Sequence, residues 1–130
     1  MIKTSTILAS TAFMVLMTSL PVADASAAAI RVKCEKSTNP ARSSISVDGR
    51  NLAPGSYSAV VISGDNRAKA PLTPAIGDEV KFDFNSNPKD IAAGAVKISR
   101  NFIQGGKVTG KIKDDQGFVV TQSTSICTVR

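Results

Sequence analysis

Cys34 and Cys127 are the only cysteines in this chain of 130 residues, so they admit a single pairing. A redox-active pair usually lies close in sequence as C-x-x-C, and these two residues lie near opposite ends of the region that follows the apolar N-terminus. A cross-link closing a loop of about ninety residues stabilises a fold by up to about 4.7 kcal/mol through lost chain entropy. We therefore predict a structural disulfide between Cys34 and Cys127.

The rest of the composition restricts catalysis. The chain contains no histidine, which removes the usual imidazole base, the Ser-His-Asp and Cys-His nucleophile pairs, and the commonest ligand of zinc and copper. An enzyme built from this sequence would depend on carboxylate pairs, on Tyr57 or on lysine, and carboxylate pairs need a substrate-sized cleft. We expect a protein that is not an enzyme and that uses no cofactor.

One run of side-chain oxygens resembles the start of a calcium loop. Asp83, Asn85 and Asn87 alternate along the chain, and Asp90 follows them. The position that requires glycine in such a loop is occupied by Pro88. The sequence therefore predicts the end of a strand followed by an Asn/Pro turn, and no metal site.

Four lysines carry the remaining candidate chemistry: Lys97, Lys107, Lys111 and Lys113. A hairpin with a three-residue loop over 104–106 would place Lys97 opposite Lys113 and bring the four onto one face. Such a stripe suits a polyanion such as lipopolysaccharide, teichoic acid, extracellular DNA or an acidic polysaccharide. The alternative is a solvated face whose lysines only protect sheet edges.

The N-terminus has the three parts of a signal peptide. Lys3 supplies positive charge, residues 7–20 are uncharged and mostly apolar, and residues 25–29 are small. We predict cleavage between Ala27 and Ala29, with residues 1–29 as signal peptide and 30–130 as one domain. The apolar run is too short for a transmembrane anchor. The domain, with a net charge of +6 that cleavage leaves unchanged, is expected in the periplasm or outside the cell.

Alternating apolar and polar residues predict β-strands over 30–36, 44–48, 57–62, 80–84 and 118–129. Residues 67–76 contain Pro71 and Pro74, which limits them to an edge strand or a crossing loop. Cys127 and Val129 of the last strand are expected to face inward.

Residues 90–104 fit either a helix or a strand, because apolar residues in this range also recur at helical spacing. The β-branched residues and Gly94 favour a strand from about Ala95. The same hairpin register would turn Arg100 inward.

About seven short strands at roughly ten-residue spacing indicate an all-β fold, either an antiparallel sandwich of immunoglobulin-like architecture or a small barrel. The predicted function is that of a non-enzymatic exported binding or structural module. Its expected partner is an anionic polymer, an envelope surface or another exported protein. Alternatives are a secreted protease inhibitor presenting 52–55 or 72–74 as a rigid loop, a polyanion-binding protein, or a small carboxylate-based hydrolase.

Overall fold

The computed structural model describes residues 27–130, which form two β-sheets and one short helix. The predicted signal peptide lies almost entirely outside the described residues. Within the described part, no helix is long and apolar enough to cross a membrane.

The described residues contain nine strands where the sequence predicts about seven, because two of them have only two residues. The elements are β1 (Ala29–Thr38), β2 (Ala41–Arg50), β3 (Ser56–Ser63), β4 (Asn66–Pro74), β5 (Val80–Asn85), α1 (Pro88–Ala92), β6 (Val96–Lys97), β7 (Lys107–Asp114), β8 (Val119–Ile126) and β9 (Thr128–Val129).

The strands form two separate sheets, so this part of the chain is a sandwich and not a closed barrel. Sheet A has five strands in the order β6-β5-β2-β1-β9, and sheet B has four in the order β4-β3-β7-β8. The predicted alternation holds in β5, where Val80, Phe82 and Phe84 are buried and the two residues between them are exposed. Of the two forms predicted for residues 67–76, most of the segment takes the edge strand, as part of β4.

The predicted disulfide is confirmed. Cys34 in β1 and Cys127, between β8 and β9, are bonded with their Cα atoms 4.7 Å apart. At Cys127 the chain leaves sheet B and continues as β9, which pairs in parallel with β1 in sheet A. The bond therefore fixes the point at which the last strand crosses between the two sheets.

The predicted strand from Ala95 is wrong for most of its length. Asn87 caps helix α1 by accepting from the Lys89 N–H, and Pro88 starts the helix, where its missing N–H costs nothing. Within the range predicted as strand, only the two residues of β6 form one, and they pair with β5. The loop that follows buries three apolar side chains in the core without a strand ladder, namely Ile98, Phe102 and Ile103.

The predicted hairpin is therefore wrong as well. Gln104 and Lys107 form a bridge across a two-residue turn of glycines, instead of the three-residue loop. β7 pairs with β3 and β8, so Lys97 does not lie opposite Lys113. Arg100 is exposed because residues 98–103 do not pair with β7.

The single strand predicted over 118–129 is wrong, because the chain is divided at Cys127 into β8 and β9, which belong to different sheets. Cys127 is buried as predicted, whereas Val129 does not face inward. Val129 pairs with Lys36 of β1 and is 64% exposed.

Two buried serines hold the loop between β6 and β7. The Ser43 hydroxyl donates to the Arg100 carbonyl at 3.0 Å and accepts from the Ile103 N–H. The Ser63 hydroxyl donates to the Lys107 carbonyl at 2.7 Å and accepts from the Gln104 N–H at 2.7 Å. These hydroxyls replace the strand partners that this segment lacks.

We expect Ser43→Ala and Ser63→Ala each to lower the free energy of unfolding by about 1 to 3 kcal/mol, since each leaves buried backbone groups unpaired. Urea unfolding measures this loss. Ser46→Ala, a change at a half-buried serine on the outer face of sheet A, is the control and should stay within about 0.5 kcal/mol of the parent. Equal losses in all three variants would contradict the proposed role of the hydroxyls.

Candidate anion-binding surface

The outer face of sheet B carries a set of cations that we call the cationic face. β7 supplies three of them because alternate residues of a strand point to opposite sides. Its residues Val108, Gly110 and Ile112 are buried on the core side. The intervening positions place lysines on the outer side, and these are Lys107, Lys111 and Lys113.

Strand β4, separated from β7 by β3, adds two cations that the sequence analysis did not single out. Lys69 pairs with Val60 of β3, and Val60 pairs on its other side with Lys111. Arg67 likewise pairs with Ile62. The prolines of β4 obscured this alternation, although Ala68 and Ala70 mark its inward side.

Val60 shows how the lysines sit on the sheet. It lies on the outer side, yet it is only 1% exposed. Its cross-strand neighbours are Lys69 and Lys111, whose long aliphatic stems cover apolar surface while the ammonium groups stay in water. The lysines thus bury Val60 and present their charges to solvent.

Neutral polar residues complete the face on β8. Gln122 pairs with Lys111, and Thr124 pairs with Thr109. The two threonine hydroxyls are hydrogen-bonded at 2.7 Å. Both ion pairs found within residues 27–130 lie elsewhere, between Arg50 and Glu79 and between Arg130 and Glu35. No ion pair in the described region therefore neutralises the cationic face.

The outer face of sheet A has a different arrangement of charge. Across its strands, Arg31 pairs with Asp48, and Asp48 pairs with Lys81. Lys33 and Asp83 flank Ser46 in the next row. Positive and negative side chains are interleaved there, whereas on the outer face of sheet B the carboxylates are confined to one end, at Asp114 and Asp115.

A shallow depression of about 400 Å³ lies at one end of the cationic face. Lys69 and Lys113 both line it, together with Ser58, which is 5% exposed. The turn after β7 forms its rim, where the Asp114 carboxylate accepts from the N–H groups of Gln116 and Phe118. Asp114 and Asp115 line the recess together with the two lysines, so its border carries charges of both signs.

Comparison of the chain with protein-family models, curated proteins and solved structures found no significant match.

The structure brings together three of the four lysines singled out in the sequence. Lys107, Lys111 and Lys113 share the cationic face, whereas Lys97 lies in β6 of sheet A. The stripe as predicted from the hairpin is thus incorrect at Lys97. Its place is taken by cations of β4, which only the observed strand order could reveal.

The calcium-like run spans the end of β5 and the start of α1, where a turn was predicted. The Asn85 side chain accepts from the Asn87 N–H at 2.9 Å, and the Asn87 side chain accepts from the Lys89 N–H at 3.0 Å. Asp83 and Asp90 line an open depression of about 450 Å³ beside α1, and both are exposed. Within residues 27–130 no three carboxylate or cysteine side chains are grouped to hold a metal ion.

The two candidate inhibitory segments differ in form, and only 52–55 is a loop, with Ala53, Pro54 and Gly55 exposed. Leu52 is 6% exposed and belongs to the core, so 52–55 cannot present it to a protease. Leu72 is exposed but lies within the edge strand β4, not in a loop.

Proposed function

We propose that this protein is an exported, non-enzymatic binding module that holds an anionic polymer on its cationic face. The domain is a disulfide-closed sandwich of immunoglobulin-like architecture, and the disulfide suits an oxidising compartment such as the periplasm or the cell exterior. The ligand is a chain bearing repeated phosphate, sulfate or carboxylate groups.

The observation that carries this proposal is the segregation of charge between the two outer faces. Exposed lysines can keep a protein soluble and protect sheet edges from pairing. The interleaved charges of sheet A would fulfil both roles equally well, so these roles do not require charges of one sign. The outer face of sheet B carries five cations on β4 and β7, and only β3 lies between these two strands. A surface of one sign attracts a polyanion and raises its local concentration.

The spacing also favours a polymer over a single small anion. Lysines at alternate positions of β7 are about 7 Å apart, and Lys69 stands two strand spacings, about 10 Å, from Lys111. Charges spread in this way contact successive groups along a chain. No aromatic side chain alternates with them on these strands, so we expect recognition by charge without base stacking.

The test compares two triple variants that remove equal charge. The sheet B variant is K107Q/K111Q/K113Q, and the matched sheet A variant is K33Q/K81Q/K97Q. We expect the parent to be retained on a heparin column, the sheet B variant to elute at clearly lower salt, and the sheet A variant to elute close to the parent. Equal shifts in the two variants would attribute retention to net charge and contradict a localised site.

The same three proteins distinguish the possible sources of the anion. Double-stranded DNA, lipopolysaccharide and an acidic polysaccharide are tested separately, at the same ionic strength. Binding to at least one of them that is lost in the sheet B variant supports the proposal. Thermal unfolding serves as the control for folding, since glutamine keeps part of each aliphatic stem and the melting temperature should change little.

A further inference from the structure

The two sheets end in four edge strands, and three of these are protected against pairing with another chain. β6 and β9 have only two residues each. β4 contains Pro71 and Pro74 and carries Arg67 and Lys69. Very short strands, prolines and charges are the usual means by which an edge is kept from pairing.

β8, the remaining edge of sheet B, has none of these protections. It has eight residues, VVTQSTSI, with no charge and no proline, and most of them are β-branched or small and polar. Among residues 27–130 it has a partner on one side only, where it pairs with β7. Its backbone on the other side is available for a further strand.

Exposed apolar side chains mark both ends of this strand. Phe118 and Val119 are exposed at its start, and Ile126 is 88% exposed at its end. The strand is also held in place, since the Ser125 hydroxyl donates to the Val32 carbonyl at 2.6 Å and the disulfide follows at Cys127. β8 is thus a fixed template that costs little to order on binding.

We propose that β8 pairs antiparallel with β8 of a second copy of this chain, forming a dimer with one continuous eight-stranded sheet. The strand carries no charge, so two copies meet without repulsion along it. An antiparallel arrangement lays the Val119 end of one copy beside the Ile126 end of the other and covers both apolar ends. In a two-fold symmetric dimer, each β8 edge is paired with the other. The edges that remain at the two ends of the joined sheet are the protected β4 strands, so no third copy is added.

This dimer does not depend on the proposed function, although the two would reinforce each other. The outer faces of the paired sheets would be continuous, so two cationic faces would lie side by side. The lysines of the two β7 strands would be three strand spacings apart, about 14 Å, which exceeds the screening length at physiological salt. Repulsion between the two faces would therefore be weak.

Sedimentation of protein purified after expression of the full chain tests the proposal, over about 1 μM to 1 mM, which covers weak interfaces. We expect a monomer–dimer equilibrium in the parent. V119K/I126K places charge on β8 and should raise the dissociation constant at least about 30-fold. The control L72K/I76K introduces the same charge at exposed apolar residues outside β8 and should dimerise like the parent.

Hydrogen exchange of the parent provides a measurement that needs no variant. Amides of β8 that do not bond to β7 should become protected as the protein concentration rises. A parent that is monomeric over the whole range, a dimer that V119K/I126K leaves intact, or β8 amides whose exchange is independent of concentration would each overturn the proposal. A monomer that instead captures a strand of another protein would overturn it as well.

Discussion

Replacing both cysteines, C34A/C127A, is expected to lower the free energy of unfolding by about 2 to 5 kcal/mol. The bond joins residues 93 apart in sequence, so its removal frees nearly the whole described chain in the unfolded state. In the folded state it holds the crossing from β8 to β9 against β1, where β9 has only two residues of its own to pair. The double variant avoids a free thiol that could cross-link two molecules.

Urea unfolding monitored by circular dichroism measures this effect. Adding a reductant to the parent should reproduce most of the loss, and the same reductant should leave C34A/C127A unchanged. Hydrogen exchange should show the earliest loss of protection at β9 and at its partners Glu35 and Lys36 in β1. A double variant as stable as the parent would show that packing alone holds the crossing.

The fold was predictable where a short strand is half buried. In β5, and in the part of β1 around Val32 and Cys34, apolar residues alternate with polar ones because one side of each strand faces the core. Between Ile98 and Ile103 the chain also buries apolar residues, but as a loop tied by Ser43 and Ser63. The local pattern of apolar and polar residues predicts which side chains are buried. It does not predict whether their backbone is held by strand pairing or by hydrogen bonds to a hydroxyl distant in sequence.

The cationic face was predictable within one strand and not between strands. The two-residue period of β7 is sufficient to place Lys107, Lys111 and Lys113 on one side. Which strand lies beside them depends on sheet order, and the chain places β3 and then β4 there. Arg67 and Lys69 therefore join the face, while Lys97 is carried into the other sheet.

The second large effect is expected in the salt dependence of polyanion binding. A contact between a lysine and a phosphate releases about one condensed counterion. Each contact therefore adds about 0.9 to the magnitude of the slope of log K against log salt concentration for binding to duplex DNA. If the three lysines of β7 contact the duplex, K107Q/K111Q/K113Q should reduce that slope by nearly three. The affinity of this variant should fall at low salt and approach that of the parent as salt rises.

The measurement that tests the central proposal most directly is this slope, determined by fluorescence anisotropy with one labelled duplex for the parent and the two triple variants. We predict that K107Q/K111Q/K113Q lowers the slope by about two to three, while K33Q/K81Q/K97Q lowers it by less than about one. Equal slopes in the two variants, or a parent whose binding does not respond to salt, would contradict an anion-binding site on the cationic face.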